Sequence, residues 1–224
     1  MLVLVVDSST PAVTAALAEV ADHGVVMRAE RRAVDARAHG ELLAPAVAAC
    51  LDEAGARPRD LDAVVAGLGP GPFTGLRVGL VTAASMGQAL DIPTYGVCSL
   101  DALGLATADG GRVLAATDAR RKEVYWAVYE GGVRVTEPDV DLPASVAGRI
   151  TNLGVGSAVG EGAHKYAEVL RLPVRDEPLY PPASALVELA AERIRAKGPG
   201  ERLIPLYLRR PDAVAAAGRK PVLR

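Results

Sequence analysis

Apolar and polar positions along the chain follow two periods, and the switches between them mark out the elements. Leu2–Asp7 is an apolar run closed by an acid, which reads as a strand ending at Ser8-Ser9-Thr10-Pro11. Ala12–Val20 and Val25–Val34 predict two further strands, turning at Asp22-His23-Gly24, so the chain opens with a three-strand meander. From His39 to Ala54, Leu42, Leu43, Ala46, Val47, Cys50, Leu51 and Ala54 recur at helical spacing on one face. Pro45 lies inside that stretch, and a kink there would move the helix start nearer Leu42. A strand follows over Leu61–Leu68, then a helix over Leu76–Leu90, a strand over Ile92–Val97, and a helix from a Ser99 cap to about Ala108. The predicted order is β-β-β-α-β-α-β-α.

After Gly110-Gly111 the order begins again. Arg112–Thr117 is apolar and runs into Asp118, as the first strand runs into Asp7. Strands are predicted over Glu123–Glu130 and Gly132–Thr136, a helix near Leu142–Arg149, and a strand over Ile150–Val155 leading into Gly154-Val-Gly156-Ser. Helices over about Ala158–Leu170 and Ser184–Lys197 complete the second half. The expected division is residues 1–109 and 110–224, two α/β halves of β-β-β-α-β-α kind. Such a pair describes the actin-like ATPase, sugar kinase and Hsp70 (ribonuclease H-like) architecture.

The strand-to-helix turn Gly67-Leu-Gly-Pro-Gly-Pro-Phe-Thr-Gly-Leu-Arg-Val-Gly79 is the most distinctive stretch. Gly69 and Gly71 free its backbone, Pro70 and Pro72 stiffen it, and Thr74 suits a helix N-cap. Two readings fit: an anion cradle at a helix N-terminus, or a tight connection that lets helix and strand pack closely. Neither Gly-Lys-Ser/Thr nor a first-strand Gly-x-Gly-x-x-Gly is present, which excludes the P-loop and the dinucleotide fingerprint. In the helix beyond, Gly75, Gly79, Ala83 and Gly87 fall four apart on one face. Each interior glycine costs about 1 kcal/mol against alanine, so another backbone must approach that stripe closely. The spacing leaves open whether it belongs to this chain or to another.

Composition narrows the function classes. Half of the 224 residues are hydrophobic but only 4% aromatic, so the core is expected to be Ala, Val and Leu. A net charge of −2 argues against coating nucleic acid by charge alone, although Asp118-Ala-Arg-Arg-Lys122 is a basic turn and Arg209-Arg210, Arg219-Lys220 and Arg224 form a basic tail. No run reaches the roughly 18 apolar residues of a membrane span, and Met1–Asp7 lacks a basic leader region. Cys50 and Cys98 give no disulfide framework, so a cytoplasmic setting is expected. His39 is followed by Leu42 and Leu43, so a helical two-histidine metal site fails, and no metal site is expected. His39 then reads as a surface or interface histidine. Asp7 either faces a ligand or caps its own turn; Asp118 either faces a ligand or pairs with Arg120 or Arg121.

Asp7-Ser-Ser-Thr10, His39 before Leu42-Leu43-Ala-Pro45, the Gly67–Gly79 turn, Asp118-Ala-Arg-Arg-Lys-Glu-Val-Tyr125 and Pro205-Leu-Tyr-Leu-Arg209 occur together, in order. This set resembles the TsaB (YeaZ) family, over Leu2 to about Arg209. The resemblance implies an accessory subunit of the bacterial machinery that makes threonylcarbamoyladenosine in tRNA, with no catalytic residues of its own. It implies pairing with a TsaD-type catalytic subunit through the first half, a homodimer when alone, a TsaE-type ATPase partner, and tRNA met only through the complex. The partner-binding set it implies is His39, Leu42, Leu43, Val47, Gly75, Arg77, Gly79, Ala83, Met86 and Gly87. On that basis Gly79→Leu or Ala83→Trp should break the heterodimer and leave the monomer folded. No cofactor is implied beyond ATP at a complex interface, for which Asp7, Ser8, Gly69, Gly71, Thr74 and Asp118 are the candidate nucleotide or anion turn. Pro72 departs from the family's usual serine, so no ligand role is carried to it. The alternatives are a small-molecule kinase of the same fold, a metallopeptidase-like enzyme, and a direct tRNA-binding module built on the basic turn and tail.

Overall fold

The computed structural model describes residues 1–108 and 111–209. The opening apolar run forms β1 (Leu2–Asp7), which pairs antiparallel with β2 (Ala12–Ala21), itself antiparallel to β3 (Gly24–Val34). On the other side of β1 lie β4 (Ala63–Gly67) and β5 (Thr94–Val97), both parallel, giving the order β3-β2-β1-β4-β5. Parallel neighbours need a crossover. Helices α1 (His39–Glu53) and α2 (Phe73–Leu90) supply the two required here. They lie side by side on one face of the sheet, where Leu43 and Leu51 of α1 and Leu76 and Leu80 of α2 pack on Leu4, Val6 and Val64.

The second half repeats the plan. Strands β6 (Arg112–Asp118), β7 (Val124–Glu130), β8 (Val133–Arg134) and β10 (Val155–Val159) run in the order β10-β6-β7-β8, and β9 (Asp139–Asp141) also pairs with β7. The parallel β10–β6 pair and antiparallel β6–β7 pair match β4–β1 and β1–β2, so Asp7 and Asp118 end equivalent central strands. The repeated β-β-β-α-β-α architecture is that of the actin-like class.

The remaining helices are α3 (Ser99–Leu105), α4 (Pro143–Ile150), α5 (Glu161–Lys165), α6 (Ala167–Leu170) and α7 (Ala183–Arg195). Two of them, α7 and α3, do not respect the division of the sheets. Leu186, Ala190 and Ile194 of α7 cover the second face of the first sheet, against Val3, Val5 and Val65. In return, Leu100 and Leu103 of α3 join the core under β6 and β7. Residues 109 and 110, where the expected boundary falls, and the tail beyond Arg209 lie outside the described residues.

Several local expectations are corrected. Helix α1 begins at His39 despite Pro45, with the Glu41 and Leu42 amides both donating to the Ala38 carbonyl. Pro45 sits on the solvent side, where the carbonyl its missing N–H would have paired can meet water. Helix α2 begins at Phe73 with Pro72 as its cap residue, so Thr74 is not the N-cap, and Ser99 is likewise inside its helix. The last strand is Val155–Val159 rather than Ile150–Val155, because Ile150 closes α4 as a buried anchor. The counterpart of the first glycine turn is therefore Gly160-Glu161-Gly162. An aliphatic core holds under α1 and α2, but Trp126 and Tyr129 of β7 are among the largest fully buried side chains.

Candidate functional site

The first turn is organised by Ser8 and Asp7. The Ser8 hydroxyl donates to the Gly75 carbonyl (2.8 Å) and accepts from the Gly79 N–H (2.9 Å). Those are the two groups an undisturbed α-helix would join to each other. A side-chain oxygen thus enters the α2 ladder, and glycine at both ends makes room for it: a Cβ on Gly79 would sit 2.5 Å from Ser8 Oγ. Two turns on, a Cβ on Gly87 would sit 2.5 Å from Thr94 Cγ2 of β5. Ala83 is fully buried as well. The neighbours that compensate the glycine stripe belong to this chain: Ser8 just after β1, His39 of α1 and Thr94 of β5. The expectation that a partner's helix fills it is corrected for Gly75, Gly79, Ala83 and Gly87, and with it the forecast for Gly79→Leu and Ala83→Trp.

Asp7 is buried and fully engaged. Its Oδ1 accepts from the Ser9 amide (3.0 Å) and hydroxyl (2.8 Å), and its Oδ2 accepts from the Ser99 hydroxyl (2.6 Å). Burial raises its pKa above the ordinary 3.8, opposed by the pull of those donors. Ser99 Oγ in turn accepts from the Gly69 amide (3.2 Å), and the Ser99 amide donates to the Gly69 carbonyl (2.7 Å). A Cβ on Gly67 would run into the Asp7 carboxylate, and one on Gly71 into the Ser9 carbonyl. The cradle reading is therefore corrected at Asp7, Ser8, Gly69 and Gly71: their polar groups and close approaches hold β1, the glycine turn and α3 together. Thr74 is exposed nearby. In the second half Asp118 pairs with Lys165 (2.9 Å), not with Arg120 or Arg121, and its amide donates to Glu161 Oε1 (2.8 Å). Ser99 and Glu161 were missed in sequence because each reaches its partner across a long stretch of chain.

The remaining helix residues divide by face. His39 is a buried residue whose Nε2 lies 2.8 Å from the Thr10 carbonyl, which corrects the surface assignment. Leu43 and Val47 are buried in the first core, whereas Leu42 and Met86 are half-buried at its edge. Only Arg77 of the implied partner-binding set is exposed. Among the described residues no group of three or more His, Cys, Asp or Glu side chains is arranged to hold a metal.

A cleft of about 900 Å³ opens where the glycine turn, the β6–β7 turn and the segment around Tyr207 meet. Phe73, Arg77, Arg120, Arg121, Tyr125 and Tyr207 line it. The Arg77 guanidinium lies 3.6 Å from the Phe73 ring centroid and its Nε donates to Tyr207 Oη (2.7 Å), while Tyr207 stacks on Phe73 at 5.3 Å. Arg120, Arg121 and Lys122 all have positive φ (62°, 53° and 63°). Left-handed backbone costs a side-chain-bearing residue about 1–2 kcal/mol, so this basic turn stores strain. A second hollow of about 320 Å³, bounded by Ser8, His39, Thr74 and Gly75, shares Pro72, Phe73 and Arg120 with the cleft.

Comparison with known proteins gives this geometry a family. A family model described as TsaD, tRNA N6-adenosine threonylcarbamoyltransferase, matches residues 32–193. An uncharacterized protein of Mycobacterium tuberculosis is 50% identical over 211 residues, 94% of this chain and 93% of the relative. The tRNA threonylcarbamoyladenosine biosynthesis protein TsaB of Escherichia coli is 34% identical over 189 residues, 77% of this chain and 81% of its own length. The chain belongs to the TsaB (YeaZ) family. The solved structure of YeaZ from Pseudomonas aeruginosa agrees, with a TM-score of 0.75 at 31% identity over 92% of this chain and 99% of that one.

In this TsaB-family chain the surface of α1 and α2 turned away from the sheet is small and nearly uncharged at its centre. Gly40, Ala44, Pro45 and Ala48 are exposed on α1, and Val81, Ala84 and Ser85 on α2, with Glu41, Arg77 and Gln88 around them. Val81 is 62% exposed, more than any other large hydrophobic side chain of either helix. No helix among the described residues is long and apolar enough to cross a membrane.

Proposed function

We propose that the chain is a cytoplasmic, non-catalytic accessory subunit that binds and activates a TsaD-type transferase, which threonylcarbamoylates tRNA adenosine beside the anticodon. The E. coli relative, a tRNA threonylcarbamoyladenosine biosynthesis protein, and the match to the TsaD family support the process. The observation that carries the non-catalytic part is the consumption of Asp7 and Ser8 by the chain's own turn and helix. A kinase of this architecture needs those groups facing a bound phosphate. Here the hydroxyl is locked in a helix ladder and both carboxylate oxygens are occupied.

The outward face of α1 and α2 is the docking surface in this reading, in place of the glycine stripe. A match to the TsaD model means that the transferase and this chain share a fold. Like faces can then meet about a pseudo-twofold axis, which also accounts for a homodimer when the partner is absent. Small residues at Ala44, Ala48 and Ala84 let helices approach closely, and Val81 supplies the central apolar contact. A TsaE-type ATPase joins the complex, the subunit needs no cofactor of its own, and any nucleotide is held at a subunit interface.

Val81→Glu tests this. Val81 is exposed in the monomer, so its melting temperature should hold, while an unpaired carboxylate in the interface should cost about 3 kcal/mol or more, over 100-fold in affinity. Sedimentation of the chain with a TsaD-type subunit reads the loss, and reconstituted tRNA modification should fall with it. An undiminished complex would show that the helices meet nothing. Full modification without this chain would end the accessory reading. Micromolar ATP binding by the chain alone would instead favour the kinase.

A further inference from the structure

The cleft between the glycine turn and the β6–β7 turn meets that docking face only at Arg77, and its lining has a chemistry of its own. The chain carries one Phe, one Trp and six Tyr, and three of these eight rings line this one cleft. Phe73 is 54% and Tyr207 43% exposed, the two aromatic residues among the exposed large hydrophobic side chains of the described residues. Arg77, Arg120, Arg121 and Arg209 surround them, and no carboxylate is part of the lining among the described residues. Glu123 lies just outside, paired with Arg209. A chain of net charge −2 has thus gathered positive charge and ring faces in one place.

The backbone beneath the cations is as telling. Glycine would hold three successive left-handed positions without strain. The chain keeps Arg120, Arg121 and Lys122 there instead, all exposed and fixed in place by the Ala119–Glu123 and Glu123–Arg120 backbone bonds (3.0 and 2.9 Å) that close the turn. Strain retained under functional groups points to a use for those groups. Cations set at the mouth of an apolar cleft with an exposed Phe–Tyr stack match a ligand that offers flat rings and regularly spaced negative charge together. An acidic peptide offers the charge without the rings, and duplex RNA hides its ring faces.

The geometry points to unpaired RNA as the occupant: phosphates on Arg120 and Lys122 of the β6–β7 turn, and a base laid against the Phe73–Tyr207 stack beside Arg77. The site belongs to this chain alone, which departs from the resemblance's implication that tRNA is met only through the complex, so the two readings fail separately.

The test is fluorescence anisotropy of the full chain with a short labelled single-stranded RNA oligonucleotide, its duplex form, and AMP as competitor. Saturable single-strand binding is expected at low salt, about 50 mM, weakening steeply as salt rises. Tyr207→Ala should lower affinity about 10-fold through lost stacking. Arg120→Gly with Lys122→Gly should lower it at least as far and flatten the log–log salt slope by about 1.4, at about 0.7 for each phosphate no longer neutralised. The same double variant should melt no lower than the parent, because glycine relieves the left-handed backbone; this separates lost binding from lost folding. No binding at low salt, equal binding of duplex, full displacement by AMP, or variants that bind like the parent would each overturn the assignment.

Discussion

Gly79→Ala sets two effects of opposite sign against each other. At an exposed helical site alanine would stabilise by about 1 kcal/mol. Here the new Cβ would lie 2.5 Å from Ser8 Oγ, in a site where Ser8 is 1% exposed and tied to Gly75 and Gly79. Displacing the hydroxyl loses two buried hydrogen bonds, about 1 kcal/mol each, and overpacking adds about 1–3 kcal/mol. Set against the propensity gain, the net destabilisation is about 2–4 kcal/mol, or roughly 5–15 °C in melting temperature for a chain of this size. Ser8→Ala should rescue much of it. The Cβ of residue 8 is 3.4 Å from the added methyl, an ordinary contact, and the Gly75 carbonyl and residue 79 amide can then pair directly. Urea unfolding of both single variants and the double variant gives the coupling, expected at 1 kcal/mol or more in favour of the double. A Gly79→Ala variant more stable than the parent, or strictly additive changes, would show that the stripe does not face Ser8. A monomer of parental stability that had lost its partner would restore the interchain reading.

Other outcomes follow from the same contacts. Because burial raises the Asp7 pKa, the folded state holds this proton more tightly than the unfolded chain, so the contribution of Asp7 to stability falls as pH rises through and above the ordinary 3.8. Urea midpoints of the parent and Asp7→Asn across acid to neutral pH should differ by that downward slope, and parallel profiles would refute it. Gly104 of α3 lies against the Tyr129 ring, so Gly104→Ala should destabilise by about 3 kcal/mol through overpacking; a neutral change in thermal unfolding would contradict the α3–β7 packing. Tyr129→Phe should cost about 1 kcal/mol by removing its 2.7 Å bond to Asp101, which Arg134 also holds, and calorimetry would read it.

Much of this molecule is legible from local pattern. Burial on both faces makes β1 and β4 continuous apolar runs, and burial on one face writes the helical period into α1 and α2. Two halves, each with an acid closing its first strand, could be read because repetition of element order survives when residue identity does not. The Gly67–Gly79 turn, Asp118–Tyr125 and Pro205–Arg209 carry the family resemblance for the same reason: each is a continuous stretch whose backbone demands glycine, proline or a fixed polar end.

Tertiary structure decided what those stretches touch. Spacing announced that one face of α2 must be bare, but a stripe of glycines is equally bare to a partner's helix and to Ser8, 71 residues away in the chain. Asp7 looked like a ligand group until Ser99, 92 residues on, proved to hold its second oxygen. The swap of α3 and α7 between the two sheets has no local signature, since an amphipathic helix records that it covers something apolar and not which sheet. The cleft beside Phe73 joins three segments that the sequence keeps far apart. Periodicity encodes the need for burial, a property of each segment; the identity of the neighbour is a property of the closed chain, set by contacts whose sequence separation leaves no trace in any window.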